Sequence, residues 1–284
     1  MEGIVYVNGE FVPADNAKVS VFDRGYLFGD GVYEVLPVLN SRLIEGQHAV
    51  ARLDRSLSEI GMAWPCRKED YLAILEELRK RNRIVEGSVY MQVTRGVASR
   101  DFAFPKQTPT TFVAFASARN LIDNPLAKTG VSVVSVPDLR WKRRDIKSIN
   151  LLAQCIAKQE AASKGAFEGW MHEDGYVTEG ASSSAFIVKE GKIITRPLSR
   201  SILPGIRRKV ILELTKEHGI ALEQRPFSLE EAALADEAFL SSATTLVMPI
   251  ISLDGKAIGD GKPGPVAQLL RQLYIETIFE EANS

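Results

Sequence analysis

The sequence predicts an α+β protein of two modest domains, and three observations carry that reading. The chain has 284 residues, close to two of the ~150-residue units in which domains usually come. Runs rich in β-branched and aromatic residues are interspersed with segments whose apolar residues recur at helical spacing. Between them the stretch Asn120 to Lys128 gathers Asn, Asp and Pro, the composition of a linker. The expected division is a small N-terminal domain over 1–119, a linker over 120–128 and a larger domain over 129–284.

Taken in order, Ile4 to Val12 alternates around Asn8-Gly9, a dipeptide suited to the positive φ angles of a two-residue hairpin turn. A strand is expected over Gly31 to Leu39. Val50, Leu53, Leu57 and Ile60, then Tyr71, Leu72, Ile74, Leu75 and Leu78, have the spacing of two amphipathic helices, separated near Pro65. Val89 to Thr94 and Thr111 to Ala118 return to strand-forming residues. Beyond the linker come a strand at Val131 to Val136 and a helix from about Ile149 to Ala162, with Ser148 as its expected N-cap. Short strands follow at Glu168 to His172, Ala185 to Val188 and Lys192 to Thr195. The helix Ile206 to His218 ends at Gly219, a residue that tolerates the left-handed cap position. Further strands are expected near Ala221 to Gln224 and Glu237 to Leu240.

Composition narrows the function classes. With 45% hydrophobic, 25% charged and 8% aromatic residues, the chain is an ordinary globular protein rather than a disordered or disulfide-built one. Thirty-six acidic residues against thirty-five basic ones give a net charge of −1, so no field of one sign attracts a nucleic acid. Small molecules or copies of the chain itself are the expected partners. Cys66 and Cys155 lie far apart and the start of the chain is polar, which suggests a cytoplasmic protein with reduced thiols. No apolar run approaches the ~20 residues of a membrane span.

Several chemistries lack their motifs. His48, His172 and His218 form no HExxH, and there is no CxxC pair, so no metal is expected. Gly25, Gly29 and Gly31 lack the order of a dinucleotide fingerprint. Gly180-Ala181-Ser182 lacks the second glycine of a nucleophile elbow. Lysine chemistry remains. In Asp145-Ile-Lys-Ser-Ile-Asn150, Lys147 stands between isoleucines ahead of the expected helix, where burial and the helix dipole would both disfavour its ammonium form. Periodicity does not choose Lys147 over Lys142, and Arg140 to Arg144 also has the character of a charged turn.

Five motifs occur in one order: Asp23-Arg-Gly-Tyr-Leu-Phe-Gly-Asp-Gly-Val-Tyr-Glu34, Val93-Thr-Arg-Gly96, Asp145-Ile-Lys-Ser148, Ala157-Lys-Gln-Glu-Ala161 and Val177-Thr-Glu-Gly180 followed by serines. With them, nearly the whole chain resembles the class IV (fold type IV) pyridoxal phosphate-dependent aminotransferases, and among these the D-amino acid aminotransferases. The resemblance implies a small N-terminal α/β domain, a larger β-barrel-like α/β domain, a homodimer and pyridoxal 5′-phosphate as cofactor.

It further implies that Lys147 joins the cofactor and moves the substrate proton, that Glu179 pairs with the pyridinium nitrogen, and that Arg52 binds the phosphate. Gly205 and Ile206 match the backbone part of the phosphate site, and Leu203 the apolar residue beneath the ring. Arg207 and Ala243 stand where relatives usually carry threonines, so Ser242 or Thr244 is expected to supply a hydroxyl and Arg207 a charge. Tyr33, Tyr90, Arg100 and Ser183 match substrate-binding positions. Phe102 replaces a family histidine, which removes a donor. The implied reaction is ping-pong transamination between D-amino acids, such as D-alanine and D-glutamate, and 2-oxo acids. A branched-chain L-amino acid aminotransferase and an aminodeoxychorismate lyase are the alternatives.

Overall fold

The computed structural model describes residues 2–283. They form two compact units. The first takes the residues up to Asn120, with Ile146–Asn150 and the segment from Phe279 onward; the second takes Leu121–Asp145 and Leu151–Ile278. Two short segments that the sequence places in the second domain therefore lie in the first unit.

The first unit opens with β1 (Ile4–Val7) and β2 (Glu10–Pro13), joined at Asn8 and Gly9 with φ of 48° and 104°. Next come α1 (Arg24–Phe28), β3 (Gly31–Leu39), β4 (Arg42–Leu43), α2 (Gly46–Glu59), α3 (Tyr71–Arg81), β5 (Gly87–Thr94) and β6 (Thr111–Ala118). The antiparallel sheet runs β2-β1-β6-β5-β3-β4. Alternation along its strands sends Val32, Leu36, Val89, Met91 and Phe112 into the core with Leu53 and Leu57 of α2 and Leu75 of α3. Tyr33, Val35, Tyr90 and Phe115 fall on the opposite, half-buried face.

β4 covers only Val38 and Leu39 of β3, leaving the backbone at the start of that strand in need of a partner. Ile146–Asn150 supplies it. Ser148 bridges Val32, Tyr33 donates its N–H to the Lys147 carbonyl at 3.0 Å, and Ile149 donates to Gly31 at 3.1 Å. This extended pairing corrects the expected helix start.

In the second unit, the helix after the lysine is Leu152–Ser163, and its N-cap Leu151 makes no side-chain cap. Ser148 instead accepts from Asn150 N–H at 3.0 Å. The unit comprises α4 (Leu126–Thr129), β7 (Val131–Pro137), α5 (Leu152–Ser163), β8 (Glu168–Glu173), β9 (Tyr176–Gly180), β10 (Ser184–Lys189) and β11 (Lys192–Thr195). These are followed by α6 (Ile206–Glu217), β12 (Leu222–Gln224), α7 (Leu229–Ala233), β13 (Glu237–Ser242), β14 (Leu246–Leu253), β15 (Lys256–Ala257) and α8 (Pro265–Asn283), whose last turn belongs to the first unit.

The nine-stranded sheet runs β12-β11-β10-β13-β14-β7-β8-β9, with β15 on β14, and curls into a half-barrel. Trp170, Ile187, Phe227, Leu240 and Met248 fill its core. α5 packs on β8 through Ala157 and Ala161, and a side chain at Gly169 would meet the Ala157 carbonyl at 2.8 Å. Small residues at this contact let the helix approach the sheet.

β14 and α8 are not among the elements the sequence predicts. Most of β14 is buried, so it lacks the in–out alternation of a half-exposed strand.

Candidate active site

In the first unit the structure brings Lys147, Tyr33 and Tyr90 together. The Lys147 amine lies 4.2 Å from the Tyr33 ring centroid, a favourable place for a cation because the ring face is electron-rich. Tyr33 stacks on Tyr90 at 5.6 Å, and Tyr90 on Phe115 at 4.8 Å. Burial, aided by the Tyr33 phenol, raises the Tyr90 pKa well above its ordinary value. Tyr90 therefore stays a neutral hydroxyl, which donates to Gln92 at 3.0 Å.

Arg52, on the buried face of α2, directs the fork of its Nε and Nη2 onto Glu34 at 2.8 and 2.7 Å. Burial opposes this charge, but Glu34 overcomes the penalty and the Arg52 pKa is raised. Arg100 stands apart, exposed in the loop after β5. Its guanidinium lies 5.4 Å from the Phe28 ring and 5.8 Å from that of Phe102, so Phe102 gives an aromatic surface where the family has a donor.

In the second unit Glu179 lies one residue before the end of β9 and is buried. Its Oε1 accepts from Arg140 Nη1 at 2.5 Å and from the Leu203 N–H at 3.0 Å, so Glu179 and Leu203 are direct neighbours. Burial raises the Glu179 pKa, and Arg140 offsets only part of that. Leu203 leads through Gly205 into α6, whose first turn has no side-chain cap and contains buried Ile206 and Arg207. At Gly205 a Cβ would meet Ser184 Oγ at 2.8 Å, and Ser184 pairs with Ser241 in the sheet. The turn Ser242–Thr245 follows directly.

Within that turn Ser242 Oγ accepts from the Thr244 and Thr245 N–H groups at 3.3 Å and contacts Thr245 Oγ1 at 2.8 Å. Its hydroxyl is thus engaged inside the turn. Thr244 makes no side-chain hydrogen bond among the described residues, and Ala243 offers only backbone. Ser183 donates its hydroxyl to Glu168 at 3.3 Å, beside Ser182 at 2.8 Å.

Four charged residues around these groups were missed in the sequence. Glu34 carried a signal: it occupies an inward-facing position of β3 between Val32 and Leu36. Glu168, fully buried, carried none. In sequence Arg140 has the character of a charged turn, and nothing marks Asp138. The structure corrects this, burying Arg140, Arg144 and the Asp138 carboxylate. A run of charges ordinarily marks solvent; here the charges neutralise one another inside the unit.

The model of the family "Amino-transferase class IV" matches residues 31–253, and the chain belongs to that family. It is 40% identical over 278 residues to the D-alanine aminotransferase of Staphylococcus aureus (strain N315), covering 96% of this chain and 98% of that one. To the D-alanine aminotransferase of Listeria monocytogenes it is 38% identical, covering 97% and 96%. Among solved structures, the branched-chain amino acid aminotransferase of Escherichia coli superposes with a TM-score of 0.90 at 24% identity, covering 98% of this chain and 95% of that one. The fold is thus that of the fold type IV aminotransferases, and the chain is a pyridoxal phosphate-dependent aminotransferase.

The residues present fit that cofactor. The uncapped first turn of α6, beside a glycine that no larger residue could replace without displacing Ser184, suits a phosphate. Among the described residues Glu179 Oε2 accepts no hydrogen bond and is not sealed away, as a carboxylate that must meet a ring nitrogen requires.

Proposed function

We propose that this chain exchanges the amino group of D-amino acids, D-alanine and D-glutamate among them, with 2-oxo acids in a ping-pong cycle. The observation that carries the reading is the 40% identity to a D-alanine aminotransferase across nearly the full length of both chains. When bound, pyridoxal phosphate supplies an aldehyde that condenses with amines and a ring that draws electrons from the substrate Cα.

The remaining steps fall to side chains. Lys147 would hold the cofactor and take and return the substrate Cα proton. The Tyr33 ring face lies 4.2 Å from its amine. Arg52, oriented by Glu34, and the first turn of α6 with Arg207 hold the phosphate, while Thr244 offers the hydroxyl because that of Ser242 is engaged. Glu179 would hold the ring nitrogen's proton through Oε2, and Leu203 would supply an apolar contact to the ring. The resemblance assigns Tyr33, Tyr90 and Arg100 to the substrate carboxylate and Ser183 to the substrate, although Arg100 stands apart from the two tyrosines.

We further place the enzyme in the cytoplasm as a homodimer. Both cysteines are free thiols, as suits a reducing compartment. Phe22, Tyr26, Phe102 and Phe104, 58 to 79% exposed, belong to one lobe tied together by Arg24, and such a patch marks an interaction surface.

The visible spectrum of the holoenzyme tests the reaction. D-alanine should bleach the cofactor band and release pyruvate when a 2-oxo acid is added, whereas L-leucine should leave the band unchanged. Bleaching by L-leucine alone would overturn the D-specific reading in favour of a branched-chain enzyme, and silence toward both would overturn D-alanine as a substrate and turn attention to lyase chemistry.

A further inference from the structure

Asp138 has no place in the reaction as described, yet its carboxylate is fully enclosed at the centre of an ionic cluster. It accepts the fork of Arg140, Nε on Oδ1 at 2.9 Å and Nη2 on Oδ2 at 2.7 Å. Thr178 Oγ1 lies 2.7 Å from Oδ2, and Arg144 Nε lies 3.5 Å away with its other nitrogens on Glu173. Asp138 is anchored in turn by its own N–H on the His172 carbonyl at 2.9 Å.

The consequence lies at the far end of Arg140. A guanidinium facing a carboxylate prefers two parallel bonds, one to each oxygen. Arg140 does not face Glu179 in that way, because its fork is already taken. Only Nη1 remains for Glu179, and it meets Oε1, the same oxygen that accepts the Leu203 N–H. Both donors converge on one oxygen, and Oε2 is left without a bond among the described residues.

We propose that Asp138 is a positioning residue: by holding the fork of Arg140 it keeps that arginine from chelating Glu179, and so reserves Glu179 Oε2 for the ring nitrogen of the cofactor. This deepens the role given to Glu179 above and rests on it. Removing the Asp138 charge lets the guanidinium turn and engage both Glu179 oxygens. The ring nitrogen then loses its acceptor, and with it the proton that the carboxylate holds there.

The test reads that proton directly. The holoenzyme is reconstituted with pyridoxal phosphate carrying 15N in the ring, and the nitrogen shift is recorded near neutral pH for wild type, D138N, T178V and E179Q. Wild type should show the protonated position and E179Q the unprotonated one. D138N should move to the unprotonated side, and T178V, which only loosens Asp138, should lie between. Cofactor dissociation, followed by fluorescence, should become about tenfold faster or more in D138N, the worth of one charge-assisted hydrogen bond.

A wild-type shift in D138N and T178V, with E179Q displaced, would overturn the proposal and leave Glu179 in its role. A wild-type shift in E179Q would overturn both. If D138N does not fold, T178V decides, since valine keeps the shape of threonine and removes the hydroxyl that Thr178 places on Asp138 at 2.7 Å and on the Met171 carbonyl at 3.0 Å; an unchanged signal there counts against the proposal.

Discussion

Lys147 owes its position to backbone pairing rather than to a helix. Its carbonyl accepts from Tyr33 and its neighbours pair with the start of β3, so the side chain is carried across the Tyr33 ring. Replacing Lys147 with alanine should lower turnover of D-alanine by at least about a thousandfold, as expected for loss of a positioned proton carrier, while thermal stability changes little; turnover close to wild type would refute the assignment. Asp138 makes a prediction about pH. Burial pushes its carboxyl upward, but Arg140, Thr178 and Arg144 outweigh burial and hold it below the ordinary value of 3.8. Its ionised form therefore adds stability above that value, which disappears as pH falls through the lower folded-state pKa. The difference in melting temperature between wild type and D138N should be steady above about pH 5 and narrow below about pH 4.

At the scale of elements, two devices hold α8. Its first turn is capped from the neighbouring strand, since Glu237 accepts from the Val266 and Ala267 N–H groups at 3.1 and 3.0 Å. Glu237→Ala should cost about 1–2 kcal/mol in urea denaturation, the worth of a charged cap. Further along, Arg271 donates to the carbonyls of Thr245, Val247, Leu121 and Ile122, at 2.7 to 3.1 Å. It ties the turn Ser242–Thr245 to the start of the second unit. Arg271→Met should cost about 3 kcal/mol or more, because buried carbonyls lose their donors. If that turn holds phosphate through Thr244, cofactor affinity should fall in parallel, which a spectral titration of R271M will show.

At the scale of the molecule, the chain passes from the second unit into the first at Ile146 and back at Leu151. The segment bearing Lys147 is therefore folded by the first unit, although its sequence neighbours on both sides belong to the second. The exposed lobe of Phe22, Tyr26, Phe102 and Phe104 predicts the assembly. Light scattering should give twice the chain mass of 31.3 kDa for wild type and the single-chain mass for a variant with Phe22 and Tyr26 both changed to serine. A monomeric wild type would sink the homodimer.

Periodicity and turn chemistry were enough to place the hairpin at Asn8-Gly9, the strand Gly31–Leu39 and the helices over α2, α3 and α6, because each is specified by residues within a few positions of one another. The motifs carried the family and the candidate residues for the same reason, being local strings. Burial of like-looking charges is not local. Arg140 and Arg143 read alike along the chain, yet Arg140 is buried between Asp138 and Glu179 while Arg143 is only half-buried. Likewise Ser148 suits a helix cap by type, but the unpaired start of β3 competes for its backbone and wins. Strand β14 became visible only once its partners were in place, since a strand buried on both faces lacks alternation. Helix α8 has a local signal, its buried Ala267, Leu270, Tyr274 and Ile278 recurring at helical spacing, and only its anchoring by Glu237 and Arg271 draws on residues distant in sequence.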